Sequence, residues 1–162
     1  MATQDARVPM TQKGYQRLVE DLKRLKSVER PRLVQEIEEA REHGDISENA
    51  EFHAAKDRQA LLDVQIREIE DKLARAQVID VSKLSGDKVV FGATVTLANG
   101  DSGEKVVYQI VGDHEAEPKN GKISISSPVA RALIGKCEGD EIEVRAPTGI
   151  RTFELLRIDF ID

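Results

Sequence analysis

Hydrophobic residues near the start of the chain recur every three or four positions, the spacing of one face of a helix. Thr11 precedes this stripe as a candidate N-cap, and Pro31 interrupts it. Because proline removes a backbone donor and bends or breaks a helix, the pattern predicts one helix with an offset at Pro31. The stripe is formed by Tyr15, Leu18, Leu22 and Leu25, and it resumes one residue out of phase at Leu33, Ile37 and Ala40.

A second helical stripe follows the break at residues 43–45 and is the most regular pattern in the chain. Its spacings alternate three and four, which is the seam of a heptad pattern. Two helices joined by so short a turn must lie antiparallel, each covering the other's seam, so we expect a slender arm that projects. The second stripe consists of Phe52, Ala55, Gln59, Leu62, Ile66, Ile69, Leu73 and Ala76, with Gln59 as its polar member.

Beyond Lys88 the hydrophobic period changes from 3.6 to 2, which predicts strands. Ser127-Pro128 predicts the start of a short helix, and residues 78–88 are predicted to be a connection. The whole pattern predicts an α+β fold in two domains: an antiparallel helical hairpin over residues 1–80, with its tip at 41–52, and a small domain over 81–162. Strand candidates contain Val95 and Leu97, Val106 to Val111, Ile123 and Ile125, Ile142 and Val144, and Phe153, Leu155, Ile158 and Phe160.

Composition narrows the class of protein. The chain has 162 residues, 33% of them charged and 4% aromatic, with a net charge of −6, which argues against nucleic-acid binding through the whole surface. No apolar run approaches the roughly 18 residues of a membrane span, and residues 1–10 lack the apolar core of a signal peptide. Cys137 is alone and allows no internal disulfide, so we expect a cytoplasmic protein without a membrane partner.

Charge is distributed unevenly along the first predicted helix. Residues 7–32 carry eight basic and three acidic side chains, whereas residues 36–51 carry seven acidic side chains and one basic, Arg41. The predicted helix therefore has a basic half and an acidic half. An ordinary solvated helix surface with patchy charge gives the same pattern, so charge alone assigns no function.

The acidic segment of residues 36–51 extends past the break and contains Asp45 and Glu48, three residues apart at the start of the second predicted helix. The pair resembles a capping box, and the helix dipole also favours acids at this position. Alternatively, both carboxylates turn toward one hard cation, and Mg²⁺ suits them because it prefers oxygen ligands. Seven acids exceed what capping requires, which favours a functional role. Two carboxylates alone would hold Mg²⁺ weakly, so a partner would have to supply the remaining ligands.

No other set of residues resembles a self-sufficient active site. His43 and His53 have no Cys or His at zinc-ligand spacing, so solvated histidine is the better interpretation. The sequence contains no glycine-rich phosphate loop and no supported arrangement of nucleophile, His and Asp. We therefore expect a protein that acts through a partner and is not itself an enzyme.

Two segments are distinctive: AREHGDISENAEFHAA at residues 40–55 and SPVARALIGK at residues 127–136. Both resemble the bacterial Gre transcript-cleavage factors, most closely those of the GreA type. Further agreement lies at residues 9–11, 76–81 and 91–95. The resemblance covers nearly the whole chain in the same order, which makes it far more specific than the acidic pair alone.

The resemblance implies an N-terminal coiled coil that enters the secondary channel of bacterial RNA polymerase. It also implies an FKBP-like C-terminal domain that docks near the channel entrance. The tip of such a factor helps the polymerase to hold a second Mg²⁺ and to cut backtracked RNA near its 3′ end, which rescues a stalled elongation complex. No metal is expected to bind the chain stably by itself, and we expect a monomer.

The same resemblance assigns roles to single residues. Asp45 and Glu48 are the expected catalytic and metal-assisting pair. Phe52 stands where many relatives have Tyr, so no role for that hydroxyl is expected here. Further partner contacts are expected from Arg41, Asn49, Lys56, Ser127 and Pro128.

Three alternative functions stay open. A protein of the same fold can occupy the polymerase channel and inhibit transcription without stimulating cleavage. An FKBP-like domain also suggests a prolyl isomerase, although the few aromatic residues of residues 81–162 are needed for the core and leave none for a peptide pocket. The third alternative is a structural coiled-coil adaptor, in which the tip acids have no role.

Overall fold

The computed structural model describes residues 7–44 and 49–161 of the chain. These residues form two compact units: residues 15–75, which are helical, and residues 7–14 with 76–161, which contain all the described strands. The α+β fold class is thereby confirmed. The division into domains 1–80 and 81–162 stays a prediction, and the compact units differ from it in placing residues 7–14 and 76–80 with the strands.

The first helical segment runs without a break from residue 12 to residue 42. It consists of helix α1 (Gln12–Arg24), a π-helical turn (Leu25–Glu29) and helix α2 (Arg30–Glu42). The predicted cap is confirmed, because the backbone N–H of Gly14 donates to Thr11 Oγ1 at 3.1 Å.

The π-helical turn explains why the hydrophobic stripe changes phase. Arg30 N donates to Leu25 O, five residues earlier, so this turn holds one residue more than an α-helical turn. Pro31 is the second residue of α2, and its nitrogen has no hydrogen to donate to the preceding turn. The predicted offset at Pro31 is confirmed, and its physical form is one residue inserted just before the proline.

Helix α3 (Ala50–Arg75) covers the seam of the first segment and runs antiparallel to it. Its large buried side chains, Leu62 and Ile66, pack with Leu25, while the small Ala40 and Ala55 are buried nearer the turn. Among the described residues, no helix is both long and apolar enough to cross a membrane. Ion pairs across the hairpin join Lys26 to Glu70 at 3.1 Å, Arg30 to Asp63 at 3.2 Å and Glu36 to Arg58 at 2.8 Å, an order that only antiparallel helices give.

The larger unit is built on a five-stranded sheet with the order β5-β4-β3-β7-β6, in which only β4 and β5 are parallel. Helix α4 (Pro128–Leu133) packs on this sheet through Ala130 and Leu133, which are both fully buried. The predicted strands and short helix are confirmed, and Gly135 ends α4 with a φ of 85°, a value that favours glycine. The strands are β3 (Thr94–Asn99), β4 (Lys105–Val111), β5 (Lys122–Ser124), β6 (Glu141–Ala146) and β7 (Gly149–Asp159).

A second, two-stranded sheet was not expected from the sequence. Strand β1 (Val8–Thr11) pairs in parallel with strand β2 (Ala76–Ile79). The prediction that residues 78 and 79 belong to a simple connection is therefore wrong, and so is the prediction that Ala76 ends the helical seam. Each strand has only four residues, too few for alternation to give a signal.

Within the larger unit, Glu115, in the loop after β4, binds Thr11 at the start of α1. Both Thr11 N, at 3.0 Å, and Thr11 Oγ1 donate to its carboxylate, as does Gly112 N at 2.8 Å. Two glycines make room for this contact. A Cβ on Gly14 would lie 1.9 Å from Glu115 Oε1, and a Cβ on Gly112 would lie 2.2 Å from the backbone oxygen of Pro9.

We expect Glu115→Ala to destabilise the protein by about 1–3 kcal/mol, because Thr11 is almost fully buried and would lose its acceptor. Urea unfolding followed by circular dichroism measures the change. Glu104→Ala removes an exposed glutamate of the β3–β4 loop, at the opposite end of β4, and should change stability by less than about 0.5 kcal/mol. Equal stability of the two variants would contradict the anchoring role of Glu115.

Candidate functional site

The predicted acidic pair, Asp45 and Glu48, lies outside the described residues. The candidate site is therefore described through the two segments that flank it, residues 41–44 at the end of α2 and residues 49–56 at the start of α3. Both segments belong to the helical unit. What they show is how the chain enters and leaves the tip.

Asn49 holds the two sides of the tip together. Its side-chain Oδ1 accepts from Phe52 N at 3.1 Å, which makes Asn49 the N-cap of α3. Its Nδ2 donates to the carbonyl of Ala40, near the end of α2. One side chain thus satisfies an orphan donor of one helix and a terminal acceptor of the other. The sequence interpretation of Asn49 as a partner contact missed this structural role, although Asn is among the most favoured N-cap residues.

This cap bears directly on the interpretation of the acidic pair. The capping-box explanation requires that α3 take its cap from Asp45 and its partner from Glu48. Helix α3 begins at Ala50 and is capped by Asn49, so it does not need that box.

Helix α2 ends in a way that suits a tight tip. His43 N donates to Ala40 O at 3.3 Å, so this carbonyl accepts two hydrogen bonds. Gly44 follows with a φ of 140°, a conformation that side chains other than glycine rarely adopt. The two helices lie close together here, because the side chains between them are small. Ala40 and Ala55 are only 4% and 1% exposed.

The other predicted contacts near the tip are exposed and therefore accessible to a partner. Arg41 lies on the surface of the last turn of α2. Lys56 is also exposed, with its Nζ 3.3 Å from Gln59 Oε1. Phe52 is half-buried and its ring makes an edge contact with the ring of His53, with centroids 5.6 Å apart.

A shallow groove of about 440 Å³ runs between α2 and α3 beside the tip. Its walls carry more acids than bases, and its one arginine, Arg58, is paired with Glu36. Within the part of the chain that the structure describes, no group of three or more His, Cys, Asp or Glu side chains could hold a metal ion. The groove is lined by Glu36, Glu39, Ala40, His43, Glu51, Ala54, Ala55 and Arg58.

The two candidate contacts of the larger unit lie at the start of α4. Ser127 is its N-cap, since Ala130 N donates to Ser127 Oγ at 3.2 Å. Pro128 occupies the first helical position and is exposed. These two residues are held by the fold at one end of a helix that is anchored in the core, so their positions are well defined.

The segment before α4 is tied to a carboxylate that sequence reasoning missed. Ser124 Oγ and Ser126 Oγ both donate to Oδ1 of Asp113, the latter at 2.8 Å. These bonds hold the pKa of Asp113 below its usual range, with Ser124 as the larger cause and Ser126 the next. Nothing in the sequence links Asp113 to serines eleven and more residues away, because that contact depends on the pairing of β4 with β5.

Comparison with known proteins gives two matching family models. One, described as "Transcription elongation factor, N-terminal", matches residues 8–78. The other, described as "Transcription elongation factor, GreA/GreB, C-term", matches residues 84–160. Together they account for nearly all of the described chain.

Full-length relatives agree with the models. Transcription elongation factor GreA of Phenylobacterium zucineum is 58% identical over 155 residues, which are 96% of this chain and 99% of that protein. The protein of the same name from Caulobacter vibrioides is 59% identical over the same shares. Among solved structures, GreA factor homolog 1 of Thermus thermophilus is 31% identical over 94% of this chain and 99% of its own, with a TM-score of 0.43.

Replacing Asn49 tests the joint at the tip. We expect Asn49→Ala to lower the free energy of unfolding by about 1 kcal/mol, because α3 loses its cap. Asn49→Asp keeps the oxygen that accepts from Phe52 N and should lie between Asn49→Ala and the parent. Thermal unfolding at 222 nm measures both variants, with Asn120→Ala as the control for an exposed asparagine outside the hairpin. If Asn49→Ala is as stable as the parent, the cap does not stabilise the hairpin.

The lowered pKa of Asp113 predicts a small pH effect with a definite sign. Because the folded-state pKa is lower than the unfolded-state value of about 3.9, the ionised carboxyl stabilises the fold above that pH. The advantage is lost as the pH falls below about 3.9 and through the folded-state value. Since Asp113 is exposed, it should amount to less than about 1 kcal/mol.

The measurement compares the melting temperature of the parent with that of Asp113→Asn between about pH 3 and pH 7. We expect the two curves to differ at neutral pH and to converge under acidic conditions. Asp87→Asn, at an exposed site outside this network, controls for the loss of one charge. A gap between parent and Asp113→Asn that widens on acidification would contradict the sign.

Proposed function

The chain belongs to the GreA/GreB family of transcription elongation factors, and from this premise we propose that it stimulates RNA cleavage by a bacterial RNA polymerase. In the proposed reaction the polymerase has backtracked, so the 3′ end of the RNA is displaced from the position where synthesis continues. The factor does not cut RNA by itself. It completes a site that the polymerase already possesses, and the stalled elongation complex resumes synthesis.

The helical hairpin is the part proposed to enter the secondary channel of the polymerase. Its dimensions favour this role, because two helices that bury only each other's seam form a narrow body. Its end is narrowed further by Ala40 and Ala55 and held together by Asn49. We propose that this end carries Asp45 and Glu48 to the reacting phosphodiester.

The chemistry of the tip residues fits Mg²⁺. Carboxylate oxygens are hard ligands, and Mg²⁺ commonly binds one or two protein carboxylates while it keeps waters or substrate oxygens. When bound between polymerase and factor, the ion would activate a water and stabilise the leaving oxygen. Asp45 and Glu48 would hold the ion, and the polymerase would supply its other ligands. The exposed Arg41 and Lys56 are proposed to contact the phosphates or the channel wall.

The larger unit is proposed to hold the factor at the rim of the channel and to have an FKBP-like fold. Ser127 and Pro128 stand at the exposed start of α4, whose other side is fixed in the core by Ala130 and Leu133. A fixed contact outside the channel would supply binding energy, and the hairpin would supply the chemistry. The factor acts in this scheme as a cytoplasmic monomer.

The observation that carries the proposal is the cap of α3. Because Asn49 fulfils that role and also binds the end of α2, the fold does not require carboxylates at positions 45 and 48 for capping. A cluster of like charges costs some stability and adds none to the fold. Binding a divalent ion during RNA cleavage would be a function for these acids.

The direct test adds purified protein to a backtracked elongation complex with Mg²⁺ and follows the length of the RNA. We expect the parent to shorten the RNA, and we expect Asp45→Asn combined with Glu48→Gln to reduce the cleavage rate at least about tenfold, or about 1.4 kcal/mol of activation free energy. Binding to the polymerase, measured by competition, should change less than about threefold, because the docking contacts are intact.

The matched control is Glu38→Gln combined with Glu42→Gln, which removes the same number of charges from exposed positions of α2. This control should cleave at nearly the parental rate. If both double variants lose activity equally, the cleavage activity depends on the total negative charge of this region and not on Asp45 and Glu48 specifically. If the parent binds the polymerase and slows synthesis without shortening RNA, the protein is an inhibitor of the same channel and the proposal is wrong.

A further inference from the structure

We propose that Asp113 is a positioning residue that fixes the segment carrying Ser127 and Pro128 in the geometry required for docking on the polymerase. The inference rests on the proposed function, because it assumes that this segment is a docking surface. It assigns no contact with the partner to Asp113 itself. The role of the Asp113 carboxylate is to hold residues 124–127 in place.

The hydrogen bonds of this region converge on one oxygen. Ser124 Oγ and Ser126 Oγ both donate to Oδ1 of Asp113, and their hydroxyl oxygens lie 2.8 Å apart. Ser126 N donates to Ser124 Oγ at 3.1 Å. Ser124 therefore accepts from the backbone of the segment while it donates to Asp113. The carboxylate fixes two side chains and, through one of them, the backbone between them.

The same turn leads directly to the docking residues. Ser127 N donates to Ser124 O at 2.9 Å, which closes the turn just before α4. Ile125 N donates to Val111 O at 2.9 Å and ties the turn to the end of β4. Asp113 follows two residues after Val111, so the carboxylate and the backbone contact come from one stretch of chain. The hydroxyl oxygen of Ser127 then accepts a hydrogen bond from Ala130 N.

The two ends of this region are held by different forces. Helix α4 is anchored by Ala130 and Leu133, which are fully buried. Ile125 and Val129 are partly buried against the same core, whereas Ser126 and Pro128 between them are exposed. Backbone hydrogen bonds hold Ile125 and Ser127, and the hydrogen bonds to Asp113 hold the side chains of Ser124 and Ser126. Loss of the carboxylate should therefore loosen the docking segment while the core keeps its packing.

An exposed carboxylate is a poor device for stabilising a whole fold, since its hydrogen bonds compete with water. It is well suited to selecting one conformation of an exposed turn, because charge-assisted hydrogen bonds are short and directional. The lowered pKa of Asp113 agrees with this geometry, since it means that the serine donors favour the ionised carboxyl. The arrangement therefore indicates that Asp113 orders this turn locally and contributes little to the stability of the whole fold.

An amide at this position distinguishes positioning from direct contact. In the Asp113→Asn variant the side-chain amide oxygen can still accept from both serine hydroxyls, whereas the negative charge is gone. A positioning residue is therefore largely rescued by Asp113→Asn, and a charge that binds the partner is not. Asp113→Ala removes the acceptor in either case.

Asp80 provides a matched control within the same unit. Its Oδ1 accepts from Ser82 Oγ at 2.6 Å and from Ser82 N at 3.1 Å, so it forms the same kind of exposed aspartate–serine network. These bonds also hold the pKa of Asp80 below its usual value, chiefly through the Ser82 side chain. Asp80 directly follows β2, caps the 3₁₀-helix Val81–Lys83 and has no hydrogen bond with residues 124–128 among the described residues. Asp80→Ala thus removes an equivalent charge and network elsewhere.

The experiment uses the full-length protein with purified RNA polymerase and a backtracked complex. It measures the factor concentration for half-maximal cleavage and the maximal cleavage rate for Asp113→Ala, Asp113→Asn, Asp80→Ala and the double variant Ser124→Ala/Ser126→Ala. We expect Asp113→Ala and the serine double variant to raise the half-maximal concentration about five- to tenfold, while the maximal rate stays within about twofold of the parent. Asp113→Asn should raise it less than about threefold, and Asp80→Ala should not change it measurably.

Combining Asp113→Ala with the serine changes should add little further loss, because all these groups act in one network. The proposal is overturned if Asp113→Ala binds like the parent, if Asp113→Asn is as weak as Asp113→Ala, or if Asp80→Ala weakens binding equally. A fall in maximal rate without a change in half-maximal concentration also overturns it.

Pro128→Glu separates this inference from the function on which it rests. Glutamate is well tolerated in the first turn of a helix, so the variant should fold, but it places a charge on the proposed docking surface. If Pro128→Glu binds as tightly as the parent, the docking role of this surface is wrong. If Pro128→Glu binds weakly and Asp113→Ala binds normally, the docking role stands and only the positioning role of Asp113 is wrong.

Discussion

The helical unit depends on one constraint: two helices have only one seam to bury. Each apolar residue of that seam can find a partner only on the opposite helix, so the hydrophobic core is a single line of contacts. A line of this kind must keep its register over its whole length. The π-helical turn at Leu25–Glu29 preserves it, because the inserted residue brings Leu33 and Ile37 back to the seam after Pro31.

Because apolar burial is limited, polar contacts define the ends of the segment. At the turn, Asn49 joins the start of α3 to the carbonyl of Ala40. At the other end, Glu115 binds Thr11, the cap of α1, and glycines at positions 14 and 112 make space for that contact. Such interactions each contribute only about 1 kcal/mol, but they are directional and apolar contacts are not. The core therefore sets the pairing of the helices, and the polar contacts set where they begin and end.

The sequence predicted the elements that depend on local periodicity. Both helical stripes, the offset at Pro31 and the strands of the larger sheet follow from spacings within a few residues, and the structure has them. Strands β1 and β2 were missed because their pairing joins Val8 to Ala76, and each is too short to show a period. The Asp113 network was missed for the same reason, since its partners meet only after β4 and β5 pair. At the tip, the acidic pair could be selected from charge and spacing, but the cap at Asn49 required knowledge of the residue at which α3 begins.

The strength of the interactions among the acidic residues near the tip depends on how far solvent screens them. In water, two unit charges about 4 Å apart repel by only about 1 kcal/mol, so exposed acids near the turn are tolerated. At an effective dielectric constant of about 20, as in a partly enclosed site, the same pair interacts about four times as strongly. In the proposed function, these carboxylates would hold a cation weakly while they are solvated, and ligands supplied by the partner would strengthen the binding. The enclosing surface, and not the hairpin alone, would then determine when the carboxylates become effective ligands.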